Sequence, residues 1–150
     1  STDEPVERLL PILARVYGMS CESSAKYEKA IEAYEFSARE IALHNNQLPV
    51  YLIENRLLDL YRKTGNRLRG VEFYRALLKQ RRSELVANHP RLAFTQIGLA
   101  KLLIDTGNAS EEAGKLLEEV RQIMSQHEAT PDRVFAQIDE LKTANARSET

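Results

Sequence analysis

The chain is poor in the residues that other architectures depend on. Of 150 residues only one is cysteine, none is tryptophan, and glycine and proline number six and five. The lone Cys21 excludes an internal disulfide and any thiolate metal cluster, which fits a reducing compartment, cytoplasmic or nuclear. An all-β domain needs many tight turns, so the low glycine and proline content leans toward helices. No apolar run approaches the roughly eighteen residues of a membrane span, so no membrane association is expected. No charged-then-apolar leader opens the chain, and its start at Ser1 is what a piece of a longer protein would show. Nor is there a surplus of either charge. Twenty-one basic residues face twenty-two acidic ones, for a net charge of −1. A nucleic-acid binder ordinarily carries a basic excess to neutralise phosphates, and this chain has none.

What is present suits a globular domain: 43% hydrophobic and 29% charged residues. The length fits one domain, read as residues 1–142, followed by a polar tail, 143–150, that is expected to fray. Apolar residues recur at spacings of three and four, the signature of amphipathic helices. Tyr27, Ala30, Ile31, Tyr34 and Ala38 form one stripe; Val50, Ile53, Leu57, Leu60 and Tyr61 form the next. Leu68, Val71, Tyr74, Leu78 and Leu85 follow, then Ala93, Ile97, Ala100 and Leu103, then Ala113, Leu116, Val120 and Ile123, and last Val134, Phe135, Ile138 and Leu141. Pro49, Pro90 and Pro131 stand where helices should begin, because proline at a first helical position forfeits no bond. Gly65 and Gly107 stand where helices should end on a left-handed residue. Near the N-terminus Val6, Leu9, Leu13 and Val16 make a core face, interrupted by Pro11, which either kinks that helix or starts it.

The pattern repeats. An offset of 42 residues lays Gly107 over Gly65, Leu99 over Leu57 and Leu102 over Leu60. With one inserted residue, Ala113 then falls over Gly70, Leu117 over Tyr74 and Val120 over Leu77. A half-copy upstream reads Tyr27, Ala30, Tyr34, Ser37. Small residues at matched positions let helices cross closely, and helix pairs repeating at this period are the mark of a solenoid.

At these residues the chain resembles the tetratricopeptide repeat superfamily. The matching positions are Tyr17, Gly18, Ala30, Tyr34 and Ser37; Tyr61, Gly65, Gly70 and Tyr74; and Leu99, Ala100, Gly107 and Ala113. Leu58, Leu77 and Leu117 depart from the family's pattern. The resemblance implies an all-α fold, a right-handed stack of about three helix hairpins with a C-terminal capping helix, about seven helices in all. A narrower resemblance, carried by the His89-Pro90 helix opening and the tyrosine-rich middle hairpin, is to the C-terminal domain of the SMYD lysine methyltransferases. That would make the chain a regulatory or substrate-shaping part of a larger enzyme whose catalytic SET domain is not among these residues.

Little in the sequence points to catalysis. His44, His89 and His127 are far apart, and none has the second histidine at four-residue spacing that zinc sites on helices use. Cys21 reads as a small buried hydrophobe or as a nucleophile with no base assigned to it. Ser23 and Ser24 lack a Gly-x-Ser-x-Gly elbow and suit a helix cap. Glu111, Glu112, Glu118 and Glu119 flank a core stripe and read as solvated. Arg67, Arg69, Lys79, Arg81 and Arg82 read either as a solvated face or as a basic strip for an acidic partner.

No cofactor, no metal and no enzymatic activity are therefore expected, and the function read from the sequence is protein–protein interaction by a monomer. In tetratricopeptide repeats the first helix of each pair faces a concave groove, which the resemblance places at Arg15, at Asn55, Asp59 and Arg62, and at Phe94, Ile97 and Lys101. At about 100° per residue, Asn55, Asp59 and Arg62 fall opposite the Ile53–Leu57–Leu60 stripe and so cannot all be core. Arg15 and Asn55 partly match the clamp with which chaperone-binding repeats grip a terminal carboxylate, whereas Met19, Phe94 and Gly98 do not. The expected partner is a protein or peptide segment with apolar and acidic side chains, a chaperone tail being one candidate. Phe94 and Ile97 have a second reading, as residues covered by the last helix through Phe135 and Ile138.

Overall fold

The computed structural model describes residues 3–40, 50–107, 110–127 and 130–148. Seven α-helices account for nearly all of them, and no strand occurs among the described residues. The fold is all-α. The helices group into two compact units that part at the Thr64-Gly65-Asn66 turn: Ser1–Asn66 and Arg67–Thr150. No described helix is long and apolar enough to cross a membrane. His44 and Pro49 lie outside the described residues.

The first unit holds α1 (Asp3–Ser23), α2 (Tyr27–Glu40) and α3 (Val50–Thr64), with α2 packed against both neighbours. Ala30, Ile31, Tyr34 and Ala38 of α2 and Ile53, Leu57, Leu60 and Tyr61 of α3 are buried, as their spacing requires. The first helix departs from its sequence pattern. It is helical on both sides of Pro11, so it does not start there. Leu13 and Val16 are 59% and 54% exposed, and α1 meets α2 through Pro11, Gly18 and Cys21 instead. The reason is the Tyr34 ring. A Cβ on Gly18 would stand 2.8 Å from its Cε1, so only the glycine face of α1 can approach. Around a helix, Leu13 lies about 140° and Val16 about 160° from Gly18, which turns both outward. The Ser37 hydroxyl donates to the Pro11 carbonyl at 2.7 Å and fixes the docked helix along its length.

Two tyrosine hydroxyls end on carboxylates in this unit. Tyr34 donates to Glu22 Oε1 at 2.9 Å, and Arg56 reaches the same oxygen at 3.0 Å. Tyr61 donates to the buried Glu35 at 2.8 Å. The chain leaves α1 through Ala25, whose φ of 58° is left-handed. The Lys26 N–H bonds the Cys21 carbonyl and the Ala25 N–H bonds that of Glu22, a Schellman ending. The end of α3 repeats it, with Gly65 at φ 75° and the Asn66 N–H on the Tyr61 carbonyl.

The second unit holds α4 (Arg67–Glu84), α5 (Pro90–Thr106), α6 (Ser110–Ser125) and α7 (Asp132–Ser148). Helix α5 is its centre, packed by α4, α6 and α7. Residues 92–103, except Phe94 and Lys101, are buried whatever their direction, including the polar Thr95 and Gln96. A helix enclosed on three sides has no polar face to keep, so the Ala93–Ile97–Ala100–Leu103 stripe is only part of its buried surface. Its start is capped by His89, whose Nδ1 accepts the Arg91 N–H at 3.1 Å, with Pro90 following at the first position. Burial, helped by the neighbouring Arg91 and His127 charges, holds His89 below the ordinary imidazole range. Its end is closed by Gly107 at φ 70°.

One further expectation changes here. Leu68 is 68% exposed and does not belong to the core stripe of α4, which Val71, Tyr74 and Leu78 supply. Helix α7 spans Asp132–Ser148, packs on α6 and α5 and buries Asn145.

Candidate functional site

Helices α4 and α6 each pack on α5, and two ion pairs link them. Arg75 grips Glu112 with both ends of its fork, Nε to Oε1 at 3.0 Å and Nη2 to Oε2 at 2.5 Å. Seven residues on along both helices, Arg82 reaches Glu119 at 3.0 Å. Equal steps in the same direction mean that the two helices are parallel. Glu119 is held from a third side, since the buried Gln96 of α5 donates to the same oxygen at 2.8 Å.

Between these two rungs lies a cleft of about 330 Å³. Beneath it lie Leu78 from α4, Leu99 from α5 and Leu116 from α6, all three buried in the core. Its walls carry one lysine each, Lys79 on α4 and Lys115 on α6. Both lysines fall within the interval that the rungs bound, and among the described residues neither has an ion-pair or hydrogen-bond partner. Four cations against two carboxylates leave the cleft net positive on a chain whose total charge is −1. The volume is at the small end of the range for ligand pockets.

The residues placed in a groove by the sequence are distributed between the units. Arg15, Asn55, Asp59 and Arg62 belong to the first; Asn55 and Asp59 are exposed, while Arg15 and Arg62 are half-buried. Phe94, Ile97 and Lys101 belong to the second, along one side of α5. There Phe94 is 48% exposed, Lys101 is half-buried and Ile97 is only 8% exposed. Ile138 of α7, the helix packed on α5, is completely buried.

The basic strip is divided by its own helix. Arg81 points inward, 3% exposed, and bonds the Thr95 hydroxyl. Arg67 pairs with Asp105 at 3.6 Å. Only Lys79 and Arg82 face the cleft, joined there by Arg75 and Lys115, which the sequence reading passed over. Three of the four glutamates flanking the α6 stripe are in ion pairs: Glu112 and Glu119 in the rungs, and the exposed Glu118 with Lys142 of α7 at 2.6 Å, which holds its carboxyl below the usual carboxylate range. The signal that would have found the rungs is the matched seven-residue spacing, Arg75 to Arg82 and Glu112 to Glu119.

For chemistry the described residues offer little. No group of three or more histidine, cysteine or acidic residues among them is placed to hold a metal ion. Cys21 is buried, and the His89 Nδ1 is occupied by its cap. A scan of protein-family models and a comparison with curated proteins found no match to this chain.

Proposed function

We propose that this chain is a non-catalytic interaction module that binds a segment of another protein, and that the α4–α5–α6 cleft receives it. The observation that carries the reading is the cleft of about 330 Å³ between the two ion pairs, with the buried Leu78, Leu99 and Leu116 beneath it and, on each wall, a lysine that has no partner among the described residues. Both walls pack on α5, so the site is built before a ligand arrives and little ordering cost falls on the protein side. Cys21 is buried and the His89 Nδ1 caps α5, so neither is presented to the cleft.

The test is selection of binders from a random peptide library on the full chain, followed by mapping of the selected peptides on backbone amide resonances. Shifts centred on Lys79, Leu99 and Lys115 support the reading. A library that yields no binder, or binders that perturb only helices outside α4, α5 and α6, would overturn it.

A further inference from the structure

We infer that His89 makes the start of α5 acid-sensitive: a proton on its Nδ1 undoes the cap and loosens the first turn of the helix.

The local geometry leaves one amide dependent on that atom. The opening N–H groups of a helix have no intrahelical acceptor and must be satisfied in other ways. Pro90, at the first position, has no N–H to satisfy. The Leu92 N–H bonds the His89 carbonyl at 3.0 Å. Between them the Arg91 N–H bonds the His89 side chain, with Nδ1 accepting at 3.1 Å. Only an imidazole nitrogen without a hydrogen can accept, so the neutral ring carries its proton on Nε2. The common capping side chains serine, threonine and asparagine keep their acceptor across the range in which imidazole titrates. Histidine does not. A proton turns Nδ1 from acceptor into donor, and two N–H groups then face each other. It also places a positive charge at the N-terminal end of α5, the positive end of the helix dipole.

The surroundings oppose that proton. The groups whose charge bears on His89 are Arg91, on α5 itself, and His127, two residues beyond the end of α6. The first is cationic and the second becomes so as pH falls. Burial, followed by these two charges, holds His89 below its ordinary value of 6.5. The unfolded chain therefore takes up the proton first. The contribution of the neutral cap to stability is complete above about pH 6.5 and is lost as pH falls below it. The opening turns of α5 also carry Thr95 and Gln96, which bond Arg81 of α4 and Glu119 of α6. The end of α5 that responds to acid is thus the end that ties three helices together.

The experiment follows urea unfolding of the full chain between about pH 7.5 and about pH 5 for wild type, His89→Asn and His89→Ala. Asparagine keeps an acceptor that does not titrate, and alanine has none. His44 and His127 are present in all three, so differences between the profiles belong to position 89. Relative to His89→Asn, the folding equilibrium constant of wild type should fall about fivefold across this range, the worth of a typical N-cap. At the acid end wild type should approach His89→Ala. Circular dichroism of each variant confirms that the helices persist. Two local readouts separate a lost cap from a general effect of charge. Imidazole nitrogen shifts at about pH 7.5 should show a bare Nδ1. Hydrogen exchange should find the Arg91 amide protected at both pH values in His89→Asn, but only at the higher one in wild type. Parallel stability profiles for wild type and His89→Asn, a hydrogen on Nδ1 of the neutral ring, or an Arg91 amide equally protected at both pH values in wild type would each overturn the inference.

Discussion

The ring of Tyr74 on α4 occupies the space that a Cβ on Gly98 of α5 would need. Glycine at this crossing is required by contact, since Gly98 lies mid-helix and makes no turn. Gly98→Ala should therefore destabilise the second unit by about 1–3 kcal/mol, the range for forcing an atom into a filled core. The loss should appear although alanine is the better helix former by up to about 1 kcal/mol. Urea unfolding measures it. Trimming the ring in Gly98→Ala/Tyr74→Leu should recover part of the loss relative to Tyr74→Leu alone, and no such recovery would locate the clash elsewhere.

Ala25, Gly65 and Gly107 end α1, α3 and α5 in the same left-handed conformation. Two of the three are glycine, and the alanine is strained, because a Cβ in that region costs roughly 1–2 kcal/mol. Ala25→Gly should stabilise the chain by about 1 kcal/mol, a little less than the strain because glycine gives up more entropy on folding. Gly65→Ala and Gly107→Ala should each destabilise it by a similar amount, since nothing lies within 4 Å to clash and only the backbone conformation resists. Shifts of the urea midpoint in the opposite sense for Ala25→Gly would show that this helix ending is misassigned.

Much of this fold was legible in the sequence. The stripes of α2, α3 and α6, the proline at the start of α5 and the glycines closing α3 and α5 all follow from local rules that need no tertiary knowledge. The third helix ending was not legible, because alanine at a left-handed position carries no mark. Nor was the docking face of α1: periodicity nominates the larger aliphatics, whereas the ring of Tyr34 admits only Gly18. The cleft was half visible. Lys79 and Arg82 stood out as charges, but their meaning depends on which side chains reach α4 from α6, and that is a product of how both helices pack on α5.

Tyr34 gives the chain an alkaline limit. Burial, followed by its hydrogen bond to the Glu22 carboxylate, pushes its hydroxyl up to about 12 from an ordinary value of 10.0, with Arg56 opposing. The folded state thus keeps a proton that the unfolded state releases first. That contribution to stability is complete below about pH 10 and disappears as pH rises through about 12. Tyr34→Phe removes the group, so the stability difference between wild type and variant should shrink over that window. Denaturation curves at stepped pH test this; a difference that widens toward high pH would contradict the assignment.

Leu13 and Val16 provide a direct contrast between pattern and packing. Hydrophobic spacing makes them core, but more than half of each surface is exposed and α1 docks on its opposite side. Leu13→Ser and Val16→Ser should each change stability by no more than about 0.5 kcal/mol, the ordinary effect of a surface substitution. Gly18→Ala, two residues beyond Val16, should cost about 1–3 kcal/mol through the Tyr34 ring. Thermal unfolding of the three variants settles the order. Equal losses would return α1 to the face that its periodicity suggests.

The parallel alignment of α4 and α6 rests on the two rungs, and a charge exchange tests it. Arg75→Glu alone sets two carboxylates against each other, and Glu112→Arg alone sets two guanidinium groups together, so each should lower stability. The double exchange restores opposite charges at the same positions and should recover most of the loss. Because the pair is about half exposed, its coupling belongs to the surface range of about 0.2–1 kcal/mol, with the two-pronged geometry favouring the upper part. Raising the salt concentration to 1 M shortens the screening length to about 3 Å, so the coupling should then fall toward zero. A coupling that stays constant in salt would mean that the two side chains interact by packing and not by charge. A double exchange that rescues nothing would mean that Arg75 and Glu112 do not meet, and the cleft between the rungs would lose its upper boundary.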